Sequence, residues 1–350
     1  MIAATYARDR DQTRLLIIDP QARATRFTRI TDFPYSLQPG ALLVMNDAAT
    51  MPASLHGRTE AGQTVELRLL GPARGDLFDA ILFGDGDYHT RTEDRLAPPD
   101  LSPGAWLRLD EQLRARVCGR AALSTRLVQL RFNLPGGELW RALYRLGRPI
   151  QYAYHPEPLA LGSVQTLYAG RPWAAEMPSA GRPLSYATLV ALKQRGVEWA
   201  TLTHAAGLSS TGDMAIDRAL PLPERYHIPV DTARAVARAH HEGRQIVAVG
   251  TSVVRALEAA ALSGGSAFEA TDTVTDLRIH AEHRLRVVSG LLTGVHSPEE
   301  SHYDLLSAFL DRTLLDDSLR RANGLGFAGH EFGDACLILP GSLRAARPAA

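Results

Sequence analysis

The sequence predicts an α/β domain into which a small antiparallel β-barrel is inserted. Three observations carry that expectation. A buried strand, a glycine turn and an amphipathic helix follow one another in RQIVAVGTSVVRALE, Arg244 to Glu258. From residue 53 to 151 the chain turns to short alternating segments: SLHGRTE, TVELRLL, FDAILF, AWLRLD, ARVCGR and TRLVQLRF. Gly, Pro and Asp clusters separate them at spacings of roughly ten residues, as in small barrels. After Tyr154 strand and helix patterns alternate again. The expected division is 1–52 with 152–342 as one discontinuous α/β domain, 53–151 as the inserted barrel, and 343–350 as a frayed tail.

Taken in order, RLLIIDP begins with a strand from Arg14 to Ile18, and RATRFTRITDF continues as a second, alternating strand. A Pro39-Gly40 turn leads into ALLVMND, a buried strand ending at Asn46 and Asp47. ELWRALYRLG reads as a helix closing the barrel unit. SYATLVALKQRG is an amphipathic helix, VEWATLTH a strand, and TARAVARAHHEGR a helix running into the strand at Gln245. TDLRIH, RLRVVSGLLTGVHSP and DACLIL supply late strands and loops, and YDLLSAFLDRTL a helix.

Composition bounds the class. The 350 residues are 45% hydrophobic and 22% charged, ordinary for a soluble globular chain and long for a single core. No apolar run approaches the ~20 residues that span a bilayer, so no membrane partner is expected. The N-terminus MIAATYARDRDQTR has no signal-peptide pattern. Cys118 and Cys336 lack metal-ligand spacing, which argues against a structural metal and suits a reducing cytoplasm. The 38 basic and 38 acidic residues cancel, and Lys193 is the only lysine. A neutral total leaves room for a local arginine patch on nucleic acid. A monomer is the expectation.

The Gly-Thr-Ser turn is the first candidate site. Gly250 breaks the apolar run, and Thr251 and Ser252 follow as N-cap hydroxyls. A helix opening there turns unpaired N–H groups toward the strand's carboxyl end, which suits a carboxylate or phosphate. Arg255 and Glu258, one turn apart, face the same crevice or else form a surface ion pair.

The order RLLIID, PGALLVMND, MPASLHG, QTLYA, PSAG, AVGTSVVRALE, TDLRI, VVSGLLTGVHSP, LLSAF and FGDACLI resembles S-adenosylmethionine:tRNA ribosyltransferase-isomerases from Arg14 to about Leu339. The resemblance implies an α/β domain with an inserted β-barrel. It implies a reaction in queuosine biosynthesis. The ribosyl part of S-adenosylmethionine passes to 7-aminomethyl-7-deazaguanine at the tRNA wobble position, forming epoxyqueuosine, and adenine and methionine leave. S-adenosylmethionine is then a co-substrate, tRNA the partner, and no metal is called for. Ser179 and Gly181, in the PSAG turn, join the cofactor-binding candidates through the resemblance.

The chain departs from the family pattern in its loops. Where the family has arginines in its Asn-Thr-Arg-Val-Ile-Pro-Ala-Arg-Leu segment, this chain has Ala49 and Ser54. Arg182 and Pro183 follow PSAG in place of Leu-His, and His204 is shifted one place. TGVHSP keeps His296 but lacks the family's asparagine and phenylalanine, and Gln151, Tyr152, Ala153 and Tyr154 replace Pro-Pro-Tyr. A transferase with another acceptor and a silent binding protein on the same scaffold are the competing readings.

The chemistry needs a base, because a sulfonium acidifies the adjacent 5′ carbon. Neutral histidine suits that role near pH 7, and His296 and His204 lie in the matching loops; the alternative is a loop histidine bonded to backbone. Glu176 is either a further acid–base group or a solvated carboxylate. Asp276 and Asp334, beside strand ends, either bind ribose hydroxyls or cap turns. Tyr154, Tyr168 and Trp173 stack on a base or fill the core. Arg126, Arg131, Arg284 and Arg286 are the expected phosphate contacts.

Overall fold

A computed structural model describes residues 2–264, 268–296 and 301–343. Its centre is a nine-stranded mixed sheet. Strands Glu198–His204, Leu42–Asn46, Ile246–Val249 and Gly290–Gly294 lie side by side and parallel. On one flank Glu224–Ile228 and Thr271–Thr275 continue the sheet antiparallel, each to its neighbour. On the other, Ala335–Ile338 runs antiparallel to Gly290–Gly294 and parallel to Arg14–Asp19, with Ala24–Arg29 at the edge.

The apolar runs are continuous because both faces are covered. Successive residues of a strand point to opposite sides. Leu16, Leu42, Val44 and Ala248 join the core beneath helices Val230–His241 and Thr251–Ser263. Leu15, Leu43, Met45 and Val249 join a second core, with Phe33, Leu184 and Leu192. Leu192 comes from helix Tyr186–Gln194, whose N-cap Ser185 accepts from the Thr188 N–H.

The insert is a closed six-stranded antiparallel barrel. Its strands are Ser54–Thr59, Thr64–Leu69, Phe78–Phe83, Trp106–Arg108, Arg114–Ala121 and Ser124–Phe132. Closure removes the exposed edges such short strands would leave. Helix Gly136–Leu146 follows, packing Leu139, Ala142 and Leu143 on the barrel. Tyr152, Leu208, Ile216 and Leu220 belong to this same core, so the main domain's 208–220 segment seals the barrel's flank.

A few expected elements differ. The second strand stops at Arg29, and a 3-10 turn, Ile30–Ser36, takes over, with Thr28 bonded to Asp32. TDLRIH is mostly loop, because Thr275 Oγ1 accepts from the Leu277 N–H and closes a turn; the strand is Thr271–Thr275. YDLLSAFLDRTL is divided between helices Ser301–Leu306 and Arg312–Gly324, the second capped by Asp311. At the C-terminus Asp19 accepts from Gly341 and Leu343, and 344–350 lie outside the described residues.

Candidate functional site

The four parallel strands end together at His204, Asn46, Val249 and Gly294, and such carboxyl edges form the ligand crevice of α/β sheets. Asn46 ties this edge. Its Oδ1 accepts from the Ala48 and His204 N–H groups, and its amide donates to the His204 carbonyl. The amide also lies 3.4 Å from Ser252 Oγ.

Gly250 turns the strand into the helix at φ 97°, a conformation side chains rarely adopt. Gly250 itself is the N-cap, so the expectation of capping hydroxyls is corrected: Thr251 and Ser252 are the first two helical residues and cap nothing. Their N–H groups meet no acceptor among the described residues, because nothing precedes them in helical register. The Ser179–Gly181 turn lies over Gly250, where a Cβ would stand 3.5 Å from the Ala180 methyl. A Cβ on Gly181 would overlap the Tyr168 hydroxyl, which explains a glycine there. Tyr168 is half-buried, and desolvation raises its phenol.

His296 stands two residues past the strand Gly290–Gly294, with Nε2 2.9 Å from Thr293 Oγ1 and its ring stacked on His302. Ser297 and Pro298, the last residues of the TGVHSP stretch, lie outside the described residues. His204 is fully buried. Burial, with the Arg255 charge behind it, drives its imidazole well below the usual range, so the ring is neutral.

Arg255 and Glu258 do not face the crevice together. Arg255 is buried, its Nε bonded to the Leu277 carbonyl and its Nη1 to Glu224, so two of its three nitrogens are engaged inside the protein. Burial pushes the Glu224 carboxyl upward against the opposing pull of Arg255. Glu258 is completely buried and accepts from the Arg286, Val287 and Val288 N–H groups, pinning the segment before Gly290. The expectation of cofactor contacts from these two is corrected to internal anchoring.

Asp334 is likewise an anchor: its carboxylate accepts from the Arg14 and Ala328 N–H groups and from the Arg14 guanidinium at 2.6 Å. Those bonds use the oxygens a ribose would need. Asp276 is exposed just past the sheet's outermost strand, away from the four central ends.

Glu176 is the carboxylate that the fold sets apart: it is half-buried, and its Oε1 is bonded within the protein rather than freely solvated. Strand Arg171–Ala174 pairs with Ala48–Thr50 directly beyond Asn46 and delivers Glu176 to the junction with the barrel. There its Oε1 accepts from the Tyr152 hydroxyl, from the Ser209 N–H at 3.1 Å and from Ser209 Oγ at 3.3 Å. Burial, reinforced by nearby Glu331, pushes its pKa up to about 7. Glu331 stays ionised: burial opposes this, but bonds from His155 and Tyr154 outweigh it. Tyr154 stacks on His330 and Tyr152. From the barrel, Arg68 stands over Tyr152 and Phe83, bonded to Glu66, with its Nη1 buried and unpartnered among the described residues.

Sequence reasoning missed Tyr152, Ser209, Glu331, Arg68 and Asn46 as site residues. Only Asn46 carried a signal, ending a buried run beside a turn. Trp173 lies under the Arg225 guanidinium at 4.5 Å. Arg126 is half-buried against Phe83, Arg131 pairs with Asp76, and Arg284 and Arg286 are exposed. Among the described residues no group of three His, Cys, Asp or Glu side chains could hold a metal ion. Nor is any helix there long and apolar enough to cross a membrane.

Residues 1–338 match a family model described as "Queuosine biosynthesis protein". The chain is 35% identical to an S-adenosylmethionine:tRNA ribosyltransferase-isomerase from Gloeobacter violaceus, over 97% of this chain and 93% of that one. A relative of the same name from Thermus thermophilus is 33% identical, over 97% of this chain and 96% of its own. A crystal structure of S-adenosylmethionine tRNA ribosyltransferase from Thermotoga maritima shares the fold, with TM-score 0.51 and 23% identity, covering 97% of this chain and 96% of the other.

Proposed function

The chain belongs to the queuosine biosynthesis family, and on that premise we propose that it moves the ribosyl part of S-adenosylmethionine onto a tRNA base and isomerises it. Its activity is that of a transferase and isomerase. The acceptor is 7-aminomethyl-7-deazaguanine at the wobble position, the product is epoxyqueuosine, and adenine and methionine are released.

The donor lies along the sheet's carboxyl edge. The N–H groups of Thr251 and Ser252, without an acceptor among the described residues, take its carboxylate, with the Ser179–Gly181 turn above them. Glu176 removes the 5′ proton that the sulfonium acidifies. The observation that carries this assignment is the half-buried Glu176 carboxylate, bonded to Tyr152 and Ser209 and raised to about 7 beside the crevice. A base with that pKa is about half ionised at neutral pH and still strong enough to accept the proton. From Glu176 to Ala180 the chain spans at most about 14 Å, so base and donor turn are within one substrate's length. His296, bonded to Thr293, orients the far side of the donor.

Two preparations of S-adenosylmethionine, labelled in the ribose or in the methyl group, test the reaction. Label should enter precursor-bearing tRNA from the ribose alone. Entry from the methyl group would make the protein a methyltransferase, and entry from neither would leave it a binding protein.

A further inference from the structure

A second opening lies beside the crevice, between the barrel's outer wall and the sheet's outer strands, with a volume of about 380 Å³. That is the size of a small-molecule site. Leu70, Leu127 and Val128 of the barrel face Leu208 and Leu222 of the main domain, giving two apolar walls. On the sheet side stands the Glu224 carboxylate; Arg74, Arg120 and Arg225 bring positive charge to the lining, beside a second carboxylate, Asp79.

We infer that this cleft seats the acceptor nucleobase, extruded from the tRNA, with its donor edge on Glu224 and its flanking phosphates on Arg74, Arg120 and Arg225. The inference rests on the tRNA reading above. Flat apolar walls suit a base removed from its stack, and such pockets read the Watson–Crick edge by hydrogen bonds. A guanine-type edge offers adjacent N1–H and N2–H donors, and a carboxylate accepts such a pair. Glu224 is fixed for the task. Its Oε1 accepts from the Gly207 N–H at 2.7 Å and its Oε2 from Arg255, which leaves one acceptor position on each oxygen. Behind it Arg255 Nη2 and His204 Nδ1 are buried without hydrogen-bond partners among the described residues, and His204 Nε2 stands 3.5 Å from Glu224 Oε2. The polar group reaching the cleft is thus part of a larger, unsaturated cluster.

The arginines are available to phosphates. Arg74 pairs with Asp79, Arg225 with Asp272 at 2.8 Å and Arg120 with Asp100 at 2.6 Å. Each pair is partly open to solvent, of the kind that costs little to exchange. The cleft also adjoins the base: Leu208 lines it, and the next residue, Ser209, bonds to Glu176.

The test measures binding apart from turnover. Wild-type protein should bind precursor-bearing tRNA at least ten-fold tighter than the same tRNA with adenine at the wobble position. Glu224→Gln should erase that difference. Leu127→Trp, which fills the cleft from a half-buried position outside any ion pair, should weaken precursor tRNA at least ten-fold and leave S-adenosylmethionine affinity within two-fold. Unchanged tRNA affinity in Leu127→Trp overturns the inference. So does a selective loss of S-adenosylmethionine affinity, which would give the cleft to the donor. Failure of the ribose-label experiment with intact base discrimination would sink the reaction and spare the cleft.

Discussion

Glu176 and Glu224 hang from alternate N–H groups of one short segment: Ser209 donates to Glu176 at 3.1 Å and Gly207 to Glu224 at 2.7 Å. Two residues of extended chain span at most about 7 Å. One carboxylate serves the proposed base and the other the proposed acceptor seat, so the 207–209 segment sets the spacing between them.

Activity should rise with pH through about 7, because the Glu176 carboxylate must be ionised to accept a proton and its pKa is raised to that value. Glu176→Gln should lower kcat by about two to four orders of magnitude. A pH–rate profile with substrates saturating checks the first statement, and single-turnover rates the second. A variant within a few-fold of the parent would return the search for the base to His296.

His296→Asn keeps a hydrogen-bonding partner for Thr293 and removes the imidazole. On the present assignment kcat should fall less than about ten-fold, since orientation rather than proton transfer is lost. A drop of the size expected for Glu176→Gln would exchange the two roles.

Arg255→Ala should act on stability before it acts on the donor. It strips Glu224 of its buried partner, and breaking such a pair costs about 3–5 kcal/mol. Denaturant unfolding reads this directly. Adding Glu224→Gln to Arg255→Ala should recover part of the loss, because no buried charge is then left alone.

The barrel carries its own titratable anchor. Glu66 is enclosed with Arg68 and Arg95; burial opposes ionisation, but their charges and the Ser54 bond outweigh it and hold the carboxyl at about 2. A lowered folded-state pKa stabilises above the unfolded value and is lost as pH falls through the folded one. Stability should therefore fall by about 3 kcal/mol between roughly pH 4.5 and 2. Glu66→Gln should flatten that part of the curve in unfolding titrations, at the expense of lower stability at pH 7.

The architecture was legible where a single segment carries its own signal. Residues 42–45 and Ile246–Val249 read as strands covered on both faces because every position is apolar, and Gly250 marks the turn because few other residues take φ 97°. Barrel closure follows from alternation repeated at even spacing. The site was less legible because its chemistry is assembled from afar. Glu176 alone looks solvated; burial and the Glu331 charge make it a raised carboxyl against the bonds from Tyr152 and Ser209, and nothing near it in sequence announces those partners. Arg255 looks available until Glu224, 31 residues away, is found beside it. Thr251 and Ser252 look like caps, but the left-handed glycine before them takes that place.

The central claim is ribosyl transfer to tRNA, and release of adenine tests it most directly. Purified protein given S-adenosylmethionine and precursor-bearing tRNA should release one adenine for each tRNA modified, and none when the tRNA or its precursor base is omitted. Adenine released without that tRNA, or none released with it, would contradict the account.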